Sequence, residues 1–409
     1  MTAKITVFPV GNGDMTLIEL ADNETKILID VNIPDAADDV EDDTFDAAAS
    51  LRKHLKRDSK GRPYVDAFLL SHPDHDHCNG IRKHFWMGSP ADYPDDSKKD
   101  TEKRILIREI WSSPLVFRRA SKNHTLCDDA KAFTAEARRR VKVNRDKKFS
   151  GVVEGDRILI LGEDEDGKTD DLDLILVKVD QEFVRINWKQ NSFFRARLLA
   201  PLPKDDDETE EVLSKNQSST ILNIQLAADA EHPDACRYLT GGDAEVAIWE
   251  LLWAKHEGQP EVLEYDVLLT PHHCSWHSLS YDSWSENHED AEVSQDARSA
   301  LSQTRSGAVL IASSDPIKDD DNDPPCYGAK LEYEEIASEA GGSFVCTGEY
   351  PSSSAPAPLE LLIASDGVTL SAGERTTRSV SRALKPAAVV SGLTFPNRQV
   401  VPNKPAGFA

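Results

Sequence analysis

Three histidines and two aspartates occupy six consecutive positions within the segment SHPDHDHCNG, residues 71–80. Imidazole nitrogens and carboxylate oxygens are both ligands for divalent metals of hard to borderline character. The segment directly follows the apolar run YVDAFLL, which predicts a buried strand, and Gly80 turns the chain after it. The donors in the pattern H-x-D-x-D-H are His72, Asp74, Asp76 and His77. This density of donors indicates a metal site, and a solvated polar loop is the alternative.

A site for two metals needs more than these four side chains, so donors must come from distant parts of the chain. Polar residues flank three further predicted strands, CRYLTGGD, YDVLLT and STILNIQLA. The residues concerned are Asp243, His272, His273, Asn216 and Ser218. Polar groups that follow buried strands are typical of an active site along one edge of a sheet. His277 follows closely enough to be a candidate for lining the same site.

The elements that must position these residues form a series of strands and helices. KITVFPV, MTLIEL and KILIDVN predict strands joined by tight turns, and AAASLRKHLKR predicts a helix before the strand VDAFLLS. A similar succession follows in the second half, where AEVAIWELLWAKH predicts a helix between strands. The series indicates a layered α/β architecture.

The predicted organisation is one large domain over residues 1–373. Two insertions are expected within it, at about 81–150 and 151–210, and the second is β-rich. The tail, residues 374–409, is rich in Pro, Ser and Arg without helical or strand periodicity, so we expect it to be extended or partly disordered.

Composition narrows the functional classes. The 409 residues carry a formal net charge of −25, which argues against non-specific binding to nucleic acid or anionic membranes unless basic residues cluster locally. No stretch approaches the roughly 20 apolar residues that span a bilayer, and the N-terminus does not resemble a secretory signal. The six cysteines form no C-x-x-C pair. Together these features predict a cytoplasmic protein with reduced thiols and no membrane partner.

The order of the motifs VGNGD, ILIDVN, SHPDHDHCNG, NQSS, LTGGDAE and TPHH resembles the metallo-β-lactamase fold. It is most similar to the branch found as the soluble nuclease-like domain of the DNA-uptake protein ComEC, and it also resembles phosphorylcholine esterase. The first motif is specific, and the resemblance covers roughly residues 4–370 outside the two insertions. It implies an αββα sandwich, in which two mixed β-sheets are flanked by helices.

The resemblance also implies roles for individual residues. His72 and Asp74 would hold the first of two divalent ions, zinc or manganese, and Asp76, His77 and His273 would hold the second. Asp243 would bridge both ions, and His272 would face the substrate, although the roles of the adjacent histidines could be exchanged. Asn216 and Ser218 would contact substrate or fill a coordination position of the first ion. His277 is a candidate for substrate contact only through its proximity to His273. Asp14 and Asp30 would orient ligands from behind.

Two positions need separate comment. Cys274 stands where family members carry glycine, and we expect its thiol to be a buried filler rather than a metal ligand. His75 stands where the family tolerates many residues, and we expect it to be exposed.

The function implied by the resemblance is a dinuclear metal-dependent hydrolase, in the first place a phosphodiesterase or nuclease. A metal-bridging hydroxide would attack the phosphodiester, with Asp76 orienting it and His272 assisting. A hydrolase of small phosphoesters, nucleotides or lactones is the alternative, and a non-catalytic binding protein with a vestigial site is an alternative of another class. The basic segment 136–148, with seven cations against two acids, is either an ordinary helix end or a platform for an anionic substrate.

Overall fold

The computed structural model describes residues 2–38, 42–123, 125–215 and 217–371. In chain order the strands are β1 (Ala3–Val7), β2 (Thr16–Glu19), β3 (Lys26–Ile29), β4 (Val31–Asn32), β5 (Lys56–Arg57), β6 (Pro63–Leu69), β7 (Leu106–Ser112), β8 (Arg157–Leu161), β9 (Leu176–Val177), β10 (Glu182–Phe183), β11 (Arg185–Ile186), β12 (Lys189–Gln190), β13 (Phe194–Ala200), β14 (Ile221–Leu226), β15 (Cys236–Leu239), β16 (Tyr265–Leu269), β17 (Thr304–Ala312), β18 (Ser343–Cys346), β19 (Leu359–Ala364) and β20 (Gly367–Leu370).

The α-helices are α1 (Ala47–His54), α2 (His75–Cys78), α3 (Ile81–His84), α4 (Pro114–Asn123), α5 (Asp128–Asp146), α6 (Asp207–Lys215), α7 (Val246–His256), α8 (Trp284–Asn287), α9 (Gln295–Leu301) and α10 (Tyr327–Glu339). Local sequence accounts for several of their boundaries. Asp46 and Ser294 cap the first turns of α1 and α9 by accepting a hydrogen bond from a backbone N–H group.

Two mixed sheets contain most of the strands. The first has the order β20-β19-β1-β2-β3-β6-β7-β8-β9, with β5 also beside β6. Its part from β20 to β3 is antiparallel, and its part from β3 to β9 is parallel. The second has the order β10-β13-β14-β15-β16-β17-β18, antiparallel as far as β15 and parallel after it. The parallel parts place the carboxyl ends of consecutive strands at one edge.

Side-chain alternation along the strands divides the core into layers. In β6, Ala67 and Leu69 pack with Leu222 and Val267 of the second sheet, whereas Phe68 packs with Phe133 of α5. On the far side of the second sheet, Leu268 packs with residues of α7, α9 and α10, Trp249 among them. Helices therefore cover the outer faces of two facing sheets, which is an α/β sandwich.

The predicted insertions are parts of this sandwich. Residues 81–150 contain β7, a member of the first sheet, and α5, which packs against that sheet. Residues 151–210 contain the expected strands, but β8 and β9 extend the first sheet and β10 and β13 extend the second. The strands of the β-rich segment therefore pair with the main sheets, and its origin as an insertion stays a prediction. The predicted tail lies outside the described residues, so its boundary stays a prediction.

The part of the chain that the structure describes contains no helix with both the length and the apolar character required to cross a membrane.

A buried acid lies in the first sheet. Glu109 of β7 is 1% exposed, and its Oε2 atom accepts hydrogen bonds from Trp111 Nε1 at 2.9 Å and from the Asn187 backbone N–H at 2.8 Å. Burial raises the pKa of Glu109 to about 7, although these donors oppose the shift. In the unfolded chain Glu109 loses its proton at the ordinary pKa of 4.5, whereas the folded protein retains the proton up to about pH 7. The protonated form of Glu109 therefore contributes fully to the free energy of unfolding below pH 4.5. This contribution is lost as the pH rises through 7.

We expect Glu109→Gln to remove this pH dependence, because the amide oxygen can accept the same two hydrogen bonds without ionising. Between pH 5 and pH 8, the free energy of unfolding of the wild type should fall by roughly 2 to 3 kcal/mol more than that of the variant. Urea unfolding at both pH values measures the difference. Glu231→Gln, at an exposed position, should follow the wild type. An equal fall in the free energy of unfolding for the wild type and Glu109→Gln would contradict the raised pKa of Glu109.

Candidate metal centre

The loop after β6 brings its donors to one end of the sandwich. Asp74 is the N-cap of α2, a single helical turn that carries the next donors. His72 and His77 are buried, Asp76 is partly exposed, and His75 is exposed. The short helix therefore directs His77 into the protein and leaves His75 in solvent, as expected for a residue that is neither ligand nor base.

Asp243, which follows β15, lies between imidazoles from both sheets. Its Oδ1 atom is 2.9 Å from His77 Nε2 and its Oδ2 atom is 3.2 Å from His72 Nε2. Asp243 Oδ1 is also 3.6 Å from His273 Nε2, and Asp243 Oδ2 is also 3.7 Å from His272 Nε2. Each carboxylate oxygen therefore faces a different pair of imidazoles. This is the arrangement that a carboxylate needs in order to join two adjacent cation positions.

His273 completes the tighter of the two positions. Its Nε2 atom is 3.2 Å from His77 Nε2 and 3.3 Å from Asp76 Oδ2. Ligand atoms of Asp76, His77, Asp243 and His273 all lie within 4.8 Å of one another. Four nitrogen and oxygen donors at this separation match the ligand chemistry of zinc or manganese.

A second layer of polar groups orients the imidazoles. Asp30 Oδ2 is 3.0 Å from His77 Nδ1, and Asp14 Oδ1 is 3.4 Å from His273 Nδ1. Ser71 donates its hydroxyl hydrogen to Asp30 Oδ2 at 2.6 Å, and its Oγ atom is 3.0 Å from His72 Nδ1. Contacts to Nδ1 turn the Nε2 atoms towards Asp243, as carboxylates do behind metal-bound histidines. Asp14, Asp30 and His77 also form a compact group that could itself hold an ion.

Opposite charges within the cluster shift the pKa values of its histidines and of Asp243. Burial lowers the pKa of His77, but Asp243 and Asp30 outweigh burial and raise the pKa well above its ordinary value. Burial is likewise outweighed at His273, whose pKa rises to about 10 beside Asp243, Asp14 and Asp76. The four histidines conversely hold the pKa of Asp243 well below its usual range, against the effect of burial. The carboxylates therefore favour positive charge at these imidazoles, and a divalent cation would supply such charge.

Unsatisfied buried atoms test whether the residues fit a cation. Two buried ligand atoms that face the interior of the cluster, His72 Nε2 and Asp243 Oδ1, make no hydrogen bond of acceptable geometry within the described ranges. Buried polar atoms without partners are costly, so such a group needs an explanation. The facing Nε2 atoms of His77 and His273 add to this, because two imidazole nitrogens can share only one hydrogen between them. The residues present therefore fit a bound divalent cation.

The backbone at the two adjacent histidines is unusual. His272, His273 and Cys274 have φ values of 51°, 53° and 69°, which lie in the left-handed region that side chains disfavour. This bend directs both imidazoles to the cluster, with His273 buried and His272 partly accessible. Three strained residues in succession are typical of a functional site. Cys274 is fully buried in the apolar cluster around Trp276, so the expected role of a buried filler fits its position.

Other candidate residues do not join the cluster. Asp74, like His72 and His272, belongs to no compact group of ligand atoms in the described residues. The His277 side chain is 46% exposed and faces Asp323 at 3.8 Å instead. Ser218 accepts a hydrogen bond from the Arg119 guanidinium at 3.2 Å, and Asn216 lies outside the described residues. The substrate contacts expected of Asn216, Ser218 and His277 stay predictions.

The sequence analysis missed three residues that organise the site. Ser71 links Asp30 to His72, and Ser219 accepts a hydrogen bond from the Asp243 backbone N–H at 3.0 Å. Gly13 brings the turn between β1 and β2 against the loop after β6, residues 70–80, where the Asp14 N–H donates to the Asp76 carbonyl oxygen at 3.2 Å. The proximity of Ser71 and Ser219 to candidate ligands was the available signal. For Gly13 the available signal was its position in VGNGD, directly before the predicted orienting residue Asp14.

Gly13→Ala tests this close approach. An added Cβ atom would lie 2.8 Å from the Asp76 carbonyl oxygen, so the turn has to move away. We expect metal affinity to fall roughly tenfold through the displaced loop and Asp14, and the free energy of unfolding to fall by about 1 to 3 kcal/mol. Chelator competition and urea unfolding measure the two effects. Gly258→Ala is the control, because its Cβ atom would meet nothing within 4 Å. Equal behaviour of the two variants would contradict the prediction.

Models of known protein families were compared with the chain, and none matches. A comparison with curated proteins gives no match either.

Proposed function

We propose that this protein is a metal-dependent phosphodiesterase with a metallo-β-lactamase-like fold. The observation that carries the proposal is the position of Asp243, whose two carboxylate oxygens face separate pairs of imidazoles. Two facing mixed sheets with outer helices support the fold assignment, as does a site built from strand ends of both sheets.

Two cation positions follow from the donor set. His72 and Asp243 Oδ2 would hold one ion, with Asp74 close enough to affect His72 and with His272 facing the same oxygen from the more accessible side. Asp76, His77, His273 and Asp243 Oδ1 would hold the other. Nitrogen and oxygen donors without thiolates suit zinc or manganese. When bound, such ions would supply Lewis-acid chemistry and lower the pKa of water, so that hydrolysis needs no protein nucleophile.

The remaining residues position the reacting groups. Asp76 is the partly exposed carboxylate of the cluster, so its free oxygen can accept a hydrogen bond from the attacking water and fix its direction. His272 is the more accessible of the two adjacent histidines and can donate a hydrogen bond to a phosphoryl oxygen. Asp14 and Asp30 hold the imidazoles of His273 and His77 in the orientation that this requires.

A small substrate is the second candidate, and a specific observation favours it over a polynucleotide. The cations expected to form a platform in segment 136–148 are largely paired within the fold. Arg139 pairs with Glu136 and Asp156, Arg140 pairs with Glu136, and Arg145 pairs with Asp171. A surface with its charges already neutralised attracts nucleic acid weakly, and the formal net charge of −25 opposes it further.

Metal loading followed by hydrolysis assays tests the function. The chain is dialysed with Mn²⁺ or Zn²⁺, its metal content is measured, and it is assayed on bis-p-nitrophenyl phosphate, a cyclic nucleotide and single-stranded DNA. We expect metal-dependent hydrolysis that a chelator abolishes and that His77→Ala eliminates. His232→Ala, which removes an exposed histidine paired with Asp229, should retain full activity. Stoichiometric metal without hydrolysis of any substrate would instead indicate a binding protein with a vestigial site.

A further inference from the structure

Two cysteines that are 49 residues apart in sequence meet beside the metal centre. The Sγ atoms of Cys78 and Cys127 are 3.4 Å apart, and both residues carry free thiols. The other four cysteines make no sulfur–sulfur hydrogen bond in the described part of the chain. A disulfide has an S–S length of about 2.05 Å, so these sulfurs need to approach by roughly 1.3 Å. Cys78 and Cys127 are therefore close to bonding geometry.

Cys78 connects this pair to the proposed metal-binding loop, residues 70–80. It is the last residue of α2, directly after His77, and it is fully buried. Its thiol also lies 3.1 Å from the Asp74 carbonyl oxygen, to which it donates a hydrogen bond. The Cys78 thiol therefore helps to hold the backbone of α2 between the candidate ligands Asp74 and His77.

Cys127 lies in a different environment, which suits reaction. It is the N-cap of α5, a helix of 19 residues, and its sulfur accepts a hydrogen bond from the Ala130 backbone N–H at 3.4 Å. It is also partly exposed, so a small reagent can reach it. A thiolate at a helix N-terminus is the usual form of a reactive cysteine.

We propose that Cys78 and Cys127 are a redox-reactive pair that forms a reversible disulfide with hydrogen peroxide and thereby loosens the metal-binding loop. Cys127 is the attacking thiol and Cys78 is the resolving thiol. Formation of the disulfide is independent of the proposed function, whereas its effect on metal binding rests on that proposal.

The chemistry balances in two steps. The Cys127 sulfur attacks one peroxide oxygen, the O–O bond breaks, and a sulfenic acid forms while the other oxygen leaves as water with the thiol proton. The Cys78 sulfur then attacks the Cys127 sulfur, the S–S bond forms, and the S–O bond breaks. The hydroxyl group leaves as a second water with the Cys78 proton. Two thiols are oxidised and one peroxide is reduced to two waters.

The bond changes the metal-binding loop in two ways. Cys78 loses the hydrogen that it donates to the Asp74 carbonyl oxygen, and its sulfur moves towards α5. Because His77 is the preceding residue in the same helical turn, its imidazole shifts relative to Asp243. A displaced orienting group typically costs 10- to 100-fold in metal affinity.

The first experiment detects the bond itself. The full chain is treated with hydrogen peroxide, alkylated and digested, and the peptides are analysed by mass spectrometry. We expect a peptide pair that joins Cys78 to Cys127 and that dithiothreitol separates. Cys127→Ser should abolish the pair, and the control Cys346→Ser, which alters a buried sulfur beside Ser314, should preserve it. Free alkylation of both cysteines, or irreversible oxidation of Cys127 without the link, would overturn the proposal.

The second experiment measures Mn²⁺ affinity by chelator competition before and after oxidation. We expect a roughly tenfold loss of affinity that dithiothreitol reverses and that Cys127→Ser does not show. An unchanged affinity in the linked protein would overturn the coupling to the loop. Failure of the reduced protein to bind Mn²⁺ or Zn²⁺ would overturn the proposed metal site, while the result of the first experiment would still decide the redox pair.

Discussion

Asp243→Asn is expected to release both metal ions and to reduce phosphodiester hydrolysis to background. Each carboxylate oxygen of Asp243 faces one proposed ion position, at 2.9 Å from His77 Nε2 and 3.2 Å from His72 Nε2. Asparagine keeps the volume, but it loses the charge and replaces one oxygen with an amide that cannot act as a ligand. The loss of metal affinity should exceed the 10- to 100-fold effect of residues that only orient ligands. Metal analysis after dialysis and chelator competition measure it.

A control variant and a second group of donors determine how the Asp243→Asn result is interpreted. Asp229→Asn alters an exposed aspartate that is also hydrogen bonded to a histidine, so it should retain both ions. The group Asp14, Asp30 and His77 is the other compact set of donors in the described residues. Retention of one ion by Asp243→Asn and its loss in Asp30→Asn would place the metal there and refute the bridging role of Asp243.

Arg140→Met is expected to destabilise the fold by about 3 to 5 kcal/mol, the usual cost of breaking a buried ion pair. Arg140 is 1% exposed, and its guanidinium donates to Glu136 Oε1 at 2.7 Å. It also donates to the carbonyl oxygens of Ile107 and Arg157, both at 3.0 Å. Removing it leaves a buried carboxylate and two buried carbonyls without this donor. Urea unfolding measures the loss.

The neighbouring Arg138 is the matched control. It has the same residue type on the same helix, but it is exposed, so Arg138→Met should change the free energy of unfolding by no more than about 0.5 kcal/mol. Equal effects of the two substitutions would show that Arg140 does not stabilise the fold. Arg138→Glu, in turn, tests an exposed cation of segment 136–148 for a role in binding nucleic acid. Reversing Arg139 or Arg140 cannot do so, because both are paired within the protein.

Local features of the chain were readable from its sequence. The alternating apolar runs predicted the strands, because the two faces of a strand are distinguished by every second residue. The density of donors in residues 71–80 predicted a candidate metal-binding loop, because five donors within six positions must lie near one another in any conformation. The polar strand ends at Asp243 and His273 were correctly expected to approach that loop, since buried strands of one sandwich end at a common edge.

Tertiary structure alone decided the details that depend on partners distant in sequence. It paired segment 151–210 with both main sheets, placed Gly13 against Asp76, and brought Cys127 to Cys78. It also paired Arg139 with Asp156 and buried Arg140, which a run of basic letters could not indicate. Spacing along the chain determines which residues are neighbours within one element. Hydrogen bonds and ion pairs between elements depend on how those elements pack, and no local pattern encodes that packing.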